Sequence, residues 1–242
     1  MVQARDFLIR GVQVVAFTAS GGFETSRVLT TVLIKYGAIF SGRVEVLPLP
    51  EEVPPEIPRV ELGSKDNSWA LSAAPARTSV AWMEWEKIGI HSEQLADKVK
   101  DCSEILGCCF PEDSPVRVNR LGILITNVFK TETAPQLLIE QFCVPRCHDS
   151  GSLQSPLRRS QKFQLHNFKT YKSTLDTMPI NSWVRCKSGS LGPEGPPAIV
   201  VEQDLNTMAD ESERRFKADE IQSYFERSVP EAQQILRLYF PD

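Results

Sequence analysis

The sequence is short of several features, and each shortage excludes a class of protein. No apolar run approaches the ~20 residues that a membrane-spanning helix needs. The N-terminus also lacks the charged-then-apolar order of a signal peptide. Cysteine is sparse, with six in 242 residues, which is too few for a disulfide scaffold. Two of them are the adjacent pair Cys108 and Cys109, which favours a reducing compartment. We therefore expect a cytoplasmic protein without membrane contact.

Positive charge is also in deficit, because the net charge is −4 at pH 7. This balance argues against a protein that is basic over its whole surface and binds nucleic acid. Basic residues nevertheless concentrate between Val144 and Lys172. A nucleic-acid-binding module that uses this stretch to contact phosphates is therefore kept as an alternative. Its candidate residues are Arg146, Arg158, Arg159, Lys162, Lys169 and Lys172.

The sequence does contain a series of predicted secondary-structure elements that occurs twice in the same order. Residues 12–110 and 116–240 each read as a strand, a helix, several strands and a closing helix. The repeat predicts an α+β fold of two related halves, each an antiparallel sheet holding helices. Such a duplication is similar to TATA-box-binding-protein-like or helix-grip-like folds, and this likeness does not carry DNA binding with it. The halves are predicted at 1–112 and 113–242, with a flexible loop at about 144–160.

Periodicity predicts the individual elements, since helices repeat apolar residues every three to four positions and strands every two. The predicted helices are 24–36, 92–107, 135–142, 210–227 and 228–239. The last two are separated because Pro230 removes a backbone donor inside a helical pattern. The predicted strands are 12–19, 43–47, 59–63, 68–72, 78–85, 116–129, 162–172, 181–187 and 198–204. Trp69, Trp82 and Trp85 are expected on a sheet face that a helix covers.

Three segments carry a resemblance to a known family. The strand from Val118 to Asn127 contains an arginine, a hydrophobic residue and a glycine, followed by an asparagine. A proline-rich stretch spans Leu47 to Arg59, and a Ser-x-Asp-x-x-Trp pattern runs from Ser64 to Trp69. In these segments the chain resembles a sporadically distributed prokaryotic family of uncharacterised function. The resemblance implies a place near mobile and defence genes, including CRISPR accessory genes. The chain departs from that family at residues 124–126, where members often carry an Arg-Tyr pair.

Cys143, Cys147 and His148 are the nearest approach to a metal site. Zinc needs about four nitrogen or sulfur ligands, usually supplied as two close pairs. The second pair would have to come from the remaining cysteines, which are Cys102, Cys108, Cys109 and Cys186. The same three residues are the candidates for a metal- or thiol-dependent enzyme, a further alternative. The Ser-Gly-Gly turn at 20–22 matches neither a dinucleotide loop nor a P-loop. We therefore expect no metal, no cofactor and no catalytic residue.

The lack of a catalytic pattern favours a non-enzymatic protein that binds another protein. The C-terminal segment is rich in aromatic and acidic residues, and most of its apolar stripe is expected in the core. Aromatic side chains of this segment that are left on the surface would form a patch for protein contacts. We expect a partner encoded in the same operon, within a prokaryotic defence or stress-regulatory system. The candidate partner-binding residues are Phe216, Tyr224, Phe225, Tyr239 and Phe240.

Overall fold

A computed structural model describes residues 2–18, 24–50, 52–111, 116–142, 162–173, 176–191, 195–208 and 216–242, without the side chains of 162–173 and 176–178. Within this part the strands are β1 (Leu8–Thr18), β2 (Arg43–Val46), β3 (Val60–Gly63), β4 (Trp69–Ala74), β5 (Arg77–Met83), β6 (Val118–Lys130), β7 (Lys162–Ser173), β8 (Asp176–Ser190) and β9 (Pro197–Thr207). The α-helices are α1 (Thr25–Tyr36), α2 (Leu95–Gly107), α3 (Ala134–Phe142) and α4 (Ala218–Tyr239). The predicted α+β class is confirmed.

The nine described strands form one antiparallel sheet in the order β2-β3-β4-β5-β1-β6-β9-β8-β7. Strands β1 and β6 lie side by side near its middle, with Val14 opposite Ile123. Strands β2–β5 lie on one side of this junction, next to β1, and strands β7–β9 lie on the other side, next to β6. Every neighbouring pair is antiparallel, as short connections between consecutive strands require. The pairs β3–β4 and β4–β5 confirm the predicted antiparallel meander.

The structure corrects the predicted break before the last helix. Helix α4 is continuous from Ala218 to Tyr239 and contains Pro230. Buried residues recur at helical spacing on both sides of the proline, which itself is exposed. A single apolar stripe therefore packs along the whole length, and its burial outweighs the one hydrogen bond that proline cannot donate. The buried residues of α4 are Ile221, Tyr224, Phe225, Ser228, Val229, Ala232, Ile235 and Leu236.

The prediction for the three tryptophans holds for two of them. Trp82 is buried and Trp69 is half-buried against the core. Trp85 instead lies beyond the end of β5, with 53% of its surface exposed. Its indole N–H donates to the carbonyl oxygen of Asn67 over 2.8 Å. A bond to a turn on the surface thus replaces the predicted burial.

All four described helices pack on one face of the sheet. Side chains alternate across a strand, so β1 turns Val12, Val14 and Ala16 toward this face. Buried residues from each helix belong to the same core cluster as these valines, among them Val32, Leu106, Leu138 and Phe225. Each such side chain contributes about 1.5–3 kcal/mol by leaving water. No described helix is long and apolar enough to cross a membrane.

The opposite side of the sheet carries no helix in the part of the chain that the structure describes, and we call it the helix-free face. Its central residues lie in three rows that the strand register sets. One row is Arg77, Phe17 and Arg120, across β5, β1 and β6. The second row is Ser79, Val15, Gly122, Asn206 and Asn181. The third row is Ala81, Gln13, Leu124, Asp204 and Trp183.

Candidate binding cleft on the helix-free face

A cleft of about 260 Å³ lies on the helix-free face, over the junction of β1 and β6. The register of the central strands places Phe17 between Arg77 and Arg120. Directly opposed residues in antiparallel strands have Cβ atoms about 5 Å apart. Two arginines therefore flank one aromatic ring. The cleft is lined by Gln13, Val15, Phe17, Arg77, Arg120, Gly122, Ile123, Leu124, Asp204 and Asn206.

The Arg120 guanidinium packs against the aromatic ring of this cleft. Its central carbon lies 4.6 Å from the centre of the Phe17 ring, which is a cation–π contact. Its Nε atom is buried and has no hydrogen-bond partner. Arginine has five N–H donors and no acceptor, and buried donors of this kind are normally paired. The aromatic ring positions the guanidinium and leaves a donor unsatisfied.

Gly122 allows the neighbouring strand to present a side chain into the cleft. A Cβ atom added at Gly122 would lie 2.3 Å from Asn206 Oδ1, which is closer than side-chain atoms approach. Asn206 is opposite Gly122 in the β6–β9 register and is buried. Its Nδ2 donates a hydrogen bond to Asp204 Oδ1. The glycine at position 122 of β6 is therefore explained by the close approach of Asn206.

Asn127, also on β6, has a different role on the face of the sheet that the helices cover. Asn127 is buried and donates from Nδ2 to Gln203 Oε1 over 2.8 Å. Gln203 in turn donates from Nε2 to the carbonyl oxygen of Ala232 in α4, also over 2.8 Å. This chain links β6, β9 and α4 through side chains inside the core. It is a packing device, because a buried amide left without partners would be costly.

The Ser-x-Asp-x-x-Trp pattern builds the turn between β3 and β4. The Asp66 carboxylate accepts hydrogen bonds from the hydroxyl of Ser64 and from the backbone N–H and hydroxyl of Ser68. The Ser64 hydroxyl oxygen also accepts from the Trp69 backbone N–H over 2.9 Å. The side-chain bond from Ser64 and the bonds from Ser68 lower the pKa of Asp66 to about 2. Asn67 has φ 58°, a left-handed conformation that asparagine tolerates.

The residues predicted to bind a partner lie mainly in the core, and this corrects the predicted surface patch. Phe216, Tyr224, Phe225 and Phe240 are buried, while Tyr239 is half-buried and packs against the core. Tyr224 donates its hydroxyl proton to the Leu205 carbonyl oxygen, again inside the protein. The aromatic spacing on α4 thus serves packing, since a helix stripe over a sheet buries these rings. They offer almost no surface to another chain.

The other predicted site residues fall mostly outside the described residues. These are Arg146, Arg158 and Arg159 of the basic stretch, and the metal candidates Cys143, Cys147 and His148. Lys162, Lys169 and Lys172 lie on β7, the last strand of the sheet, opposite Lys187, Ile180 and Thr177. The nucleic-acid and metal alternatives therefore stay predictions. In the described part, no three His, Cys, Asp or Glu residues come together as a metal-binding group.

Three cysteines of the described part are poor nucleophiles. Cys102, Cys109 and Cys186 are buried, and burial raises the pKa of each thiol. The pKa values of Cys109 and Cys186 rise to about 12. The thiolate form that reacts or binds metal is thus disfavoured at these positions.

The cleft residues were not predicted as a site from the sequence. Arg120 and Gly122 lie in the Val118–Asn127 segment, and its sequence pattern was the only feature that drew attention to these two residues. Phe17 and Arg77 are more than fifty positions apart in sequence, and only strand pairing brings them together. Comparison of the chain with protein-family models and with curated proteins gives no match.

Proposed function

We propose that the protein is a non-enzymatic interaction protein that binds a partner protein through its helix-free face. The observation that carries this proposal is the one-sided arrangement of the sheet. All four described helices share a single core with one face. The other face presents half-buried side chains of mixed character at its centre, including Phe17, Leu124 and Trp183. Protein interfaces combine such aromatic and apolar anchors with a polar surround.

The composition of this face suits a protein surface more than a nucleic-acid platform. Arginine at 77, 120 and 185 and lysine at 187 share this face with acids at 202 and 204 on β9, so charges of both signs are interspersed. Lys187 and Glu202 form an ion pair across β8 and β9. A platform for nucleic acid has an excess of positive charge that follows the phosphate backbone. A mixed face of this kind favours complementary charges from a protein partner.

The duplication of two related halves belongs to the same proposal. Its support is the strand order, which runs β2-β3-β4-β5-β1 on one side and β6-β9-β8-β7 on the other. In each half the first strand lies innermost and a helix follows it, after which the next strand lies at the sheet edge and the remaining strands return toward the centre. We propose that residues 1–112 and 113–242 are these halves. The helix-free face then spans both of them, with the β1–β6 junction at its centre.

The resemblance to a family near mobile and defence genes directs the search for the partner toward the products of neighbouring genes. The experiment is gel filtration of the full chain with each such product. We expect one product to co-elute with the chain. A charged substitution at Leu124 on the helix-free face, Leu124→Arg, should abolish co-elution because it places an unpaired charge in the interface.

The matched control is Leu238→Arg on α4. Leu238 is 61% exposed on the helical side of the molecule, so the same chemical change leaves the helix-free face intact. We expect this variant to co-elute like the original chain. Co-elution that survives Leu124→Arg and is lost in Leu238→Arg would move the interface to the helices. If no neighbouring product co-elutes, the proposal fails.

A further inference from the structure

We propose that the cleft between Arg77, Phe17 and Arg120 binds an oxyanion, meaning a phosphate or a carboxylate group. This inference goes beyond partner binding, because it requires only a small anion. Three independent features of the cleft carry it. They are an unsatisfied buried donor, a second cation on the same row, and a floor whose polar groups include two side-chain amides.

The unsatisfied donor is Nε of Arg120. This atom is buried without any hydrogen bond, although the guanidinium carries a full positive charge. Leaving a buried N–H unpaired is unfavourable, and more so when the group is charged. An unpaired buried donor in a native structure calls for an explanation, and a bound ion is one of them. An oxygen anion is that partner, because the guanidinium fork matches the two oxygens of a carboxylate or phosphate.

Phe17 prepares the guanidinium for this role. Its ring contacts the Arg120 charge at 4.6 Å and restricts where the long side chain lies. Arg77 lies on the other side of the same phenylalanine, directly opposite it in the β1–β5 register. Arg77 is exposed and also lines the cleft. An anion above Phe17 therefore meets two arginines that the strand register places on one row, of which Arg120 is also positioned by the Phe17 ring.

The floor of the cleft supplies neutral polar groups and one acid. Gln13 and Asn206 line it, and both carry amide N–H groups that donate to oxygen. Asp204 also lines it, and its carboxylate accepts from Asn206. Two arginines and one aspartate leave a net lining charge of +1, which favours an anion and opposes a cation. At about 260 Å³ the cleft suits a small anionic group, not a large ligand.

The anion has two sources with the same chemistry. It is either a free phosphate compound or the carboxylate of an acidic side chain from the partner protein. The two are separated by titrating the full chain, at constant ionic strength, with inorganic phosphate and with N-acetylglutamate amide. Calorimetry gives the affinity, and amide NMR at Gly122 reports the location. Tighter binding of phosphate assigns a free phosphate compound, and tighter binding of the glutamate derivative assigns an acidic side chain.

Variants then test the role of each charge. We expect Arg120→Gln to weaken binding at least about tenfold, since hydrogen bonds to a charged group are lost. Arg120→Lys keeps the positive charge but loses the forked guanidinium. Its affinity for the anion should therefore lie between those of the original chain and of Arg120→Gln. Asp204→Asn should tighten binding because it removes a repelling charge. Arg237→Gln on α4 is the matched control, as Arg237 is exposed and pairs with Asp242 at the C-terminus.

Several results would overturn the inference. One is the absence of saturable binding of both probes by a chain that circular dichroism shows to be folded. Another is equal affinity in the Arg120→Gln variant and the original chain. If Arg120→Gln does not fold, Arg77→Gln gives the same test, because Arg77 is exposed and its loss leaves the core intact. Neither titration includes a partner protein, so this inference and the proposed partner binding fail separately.

Discussion

The buried amide chain between β6, β9 and α4 yields the sharpest prediction about stability. The perturbation is Gln203→Met, which keeps the length and nearly the volume of the side chain and removes its polar end. Gln203 accepts from Asn127 over 2.8 Å and donates to the Ala232 carbonyl oxygen over 2.8 Å. Both bonds lie in the core, so water does not replace them when they are lost.

The magnitude follows from these two bonds. Each buried hydrogen bond contributes about 1 kcal/mol net, and a donor left unpaired adds to the loss. Asn127 keeps only its longer 3.3 Å bond to the Val201 carbonyl oxygen. We expect Gln203→Met to lower the free energy of unfolding by about 2–3 kcal/mol. For a chain of this length that is a fall in Tm of roughly 5–10 °C.

The assay is urea and thermal unfolding followed by circular dichroism. Gln222→Met on α4 is the matched control, because Gln222 is exposed and bonds only to Glu226, so its loss should cost under about 0.5 kcal/mol. Combining Gln203→Met with Asn127→Leu should give a coupling energy of about 1 kcal/mol. Stability of Gln203→Met within about 0.5 kcal/mol of the original chain would refute the proposed energetic role.

Three further predictions concern α4, the cleft and the β3–β4 turn. Pro230→Ala should stabilise the protein by about 1 kcal/mol or more in urea unfolding, because alanine supplies a backbone donor to a continuous helix. A destabilised Pro230→Ala variant would instead indicate a helix that restarts at the proline. Gly122→Ala should destabilise by about 1–3 kcal/mol through its clash with Asn206, and Asn206→Ser should relieve most of this in the double variant. The pKa of Asp66 is about 2 when folded, below its unfolded value of about 3.9. Its contribution to stability is therefore complete above about pH 4 and lost as the pH falls through 2, and NMR titration of its carboxyl should give that midpoint, whereas a midpoint near 3.9 contradicts the turn.

Local periodicity predicted most of the helices and strands because each element has its own repeat of apolar residues. The β3–β5 meander was also predictable, since its turns are short and rich in turn-forming residues. The break at Pro230 was predicted wrongly for a physical reason. The prediction considered only the hydrogen bond that proline cannot donate. Whether the helix continues through Pro230 depends instead on the stripe of buried residues from Tyr224 to Leu236. That stripe is stabilised by the sheet beneath it, which local sequence does not contain.

The aromatic residues near the C-terminus show the same limit. Phe225 and Phe240 are fully buried, so their spacing reports a helix that packs on a sheet. A sequence cannot distinguish such a stripe from an exposed patch when the covering element is distant in the chain. The pattern of Arg120, Gly122 and Asn127 in β6 was recognised in the sequence, but the structural roles of these residues were not predicted. The structure divides it between two faces, with Asn127 in the core and the other two in the cleft.

The sequence by itself determined the α+β class, the order of elements and the two amphipathic periods, because these depend on contacts between near neighbours. Tertiary structure alone decided which face of the sheet the helices cover and which strands distant in the chain become neighbours. It brought Arg77, Phe17 and Arg120 onto one row, since antiparallel pairing fixes register over distances that no local pattern specifies. The candidate cleft exists only because of that register.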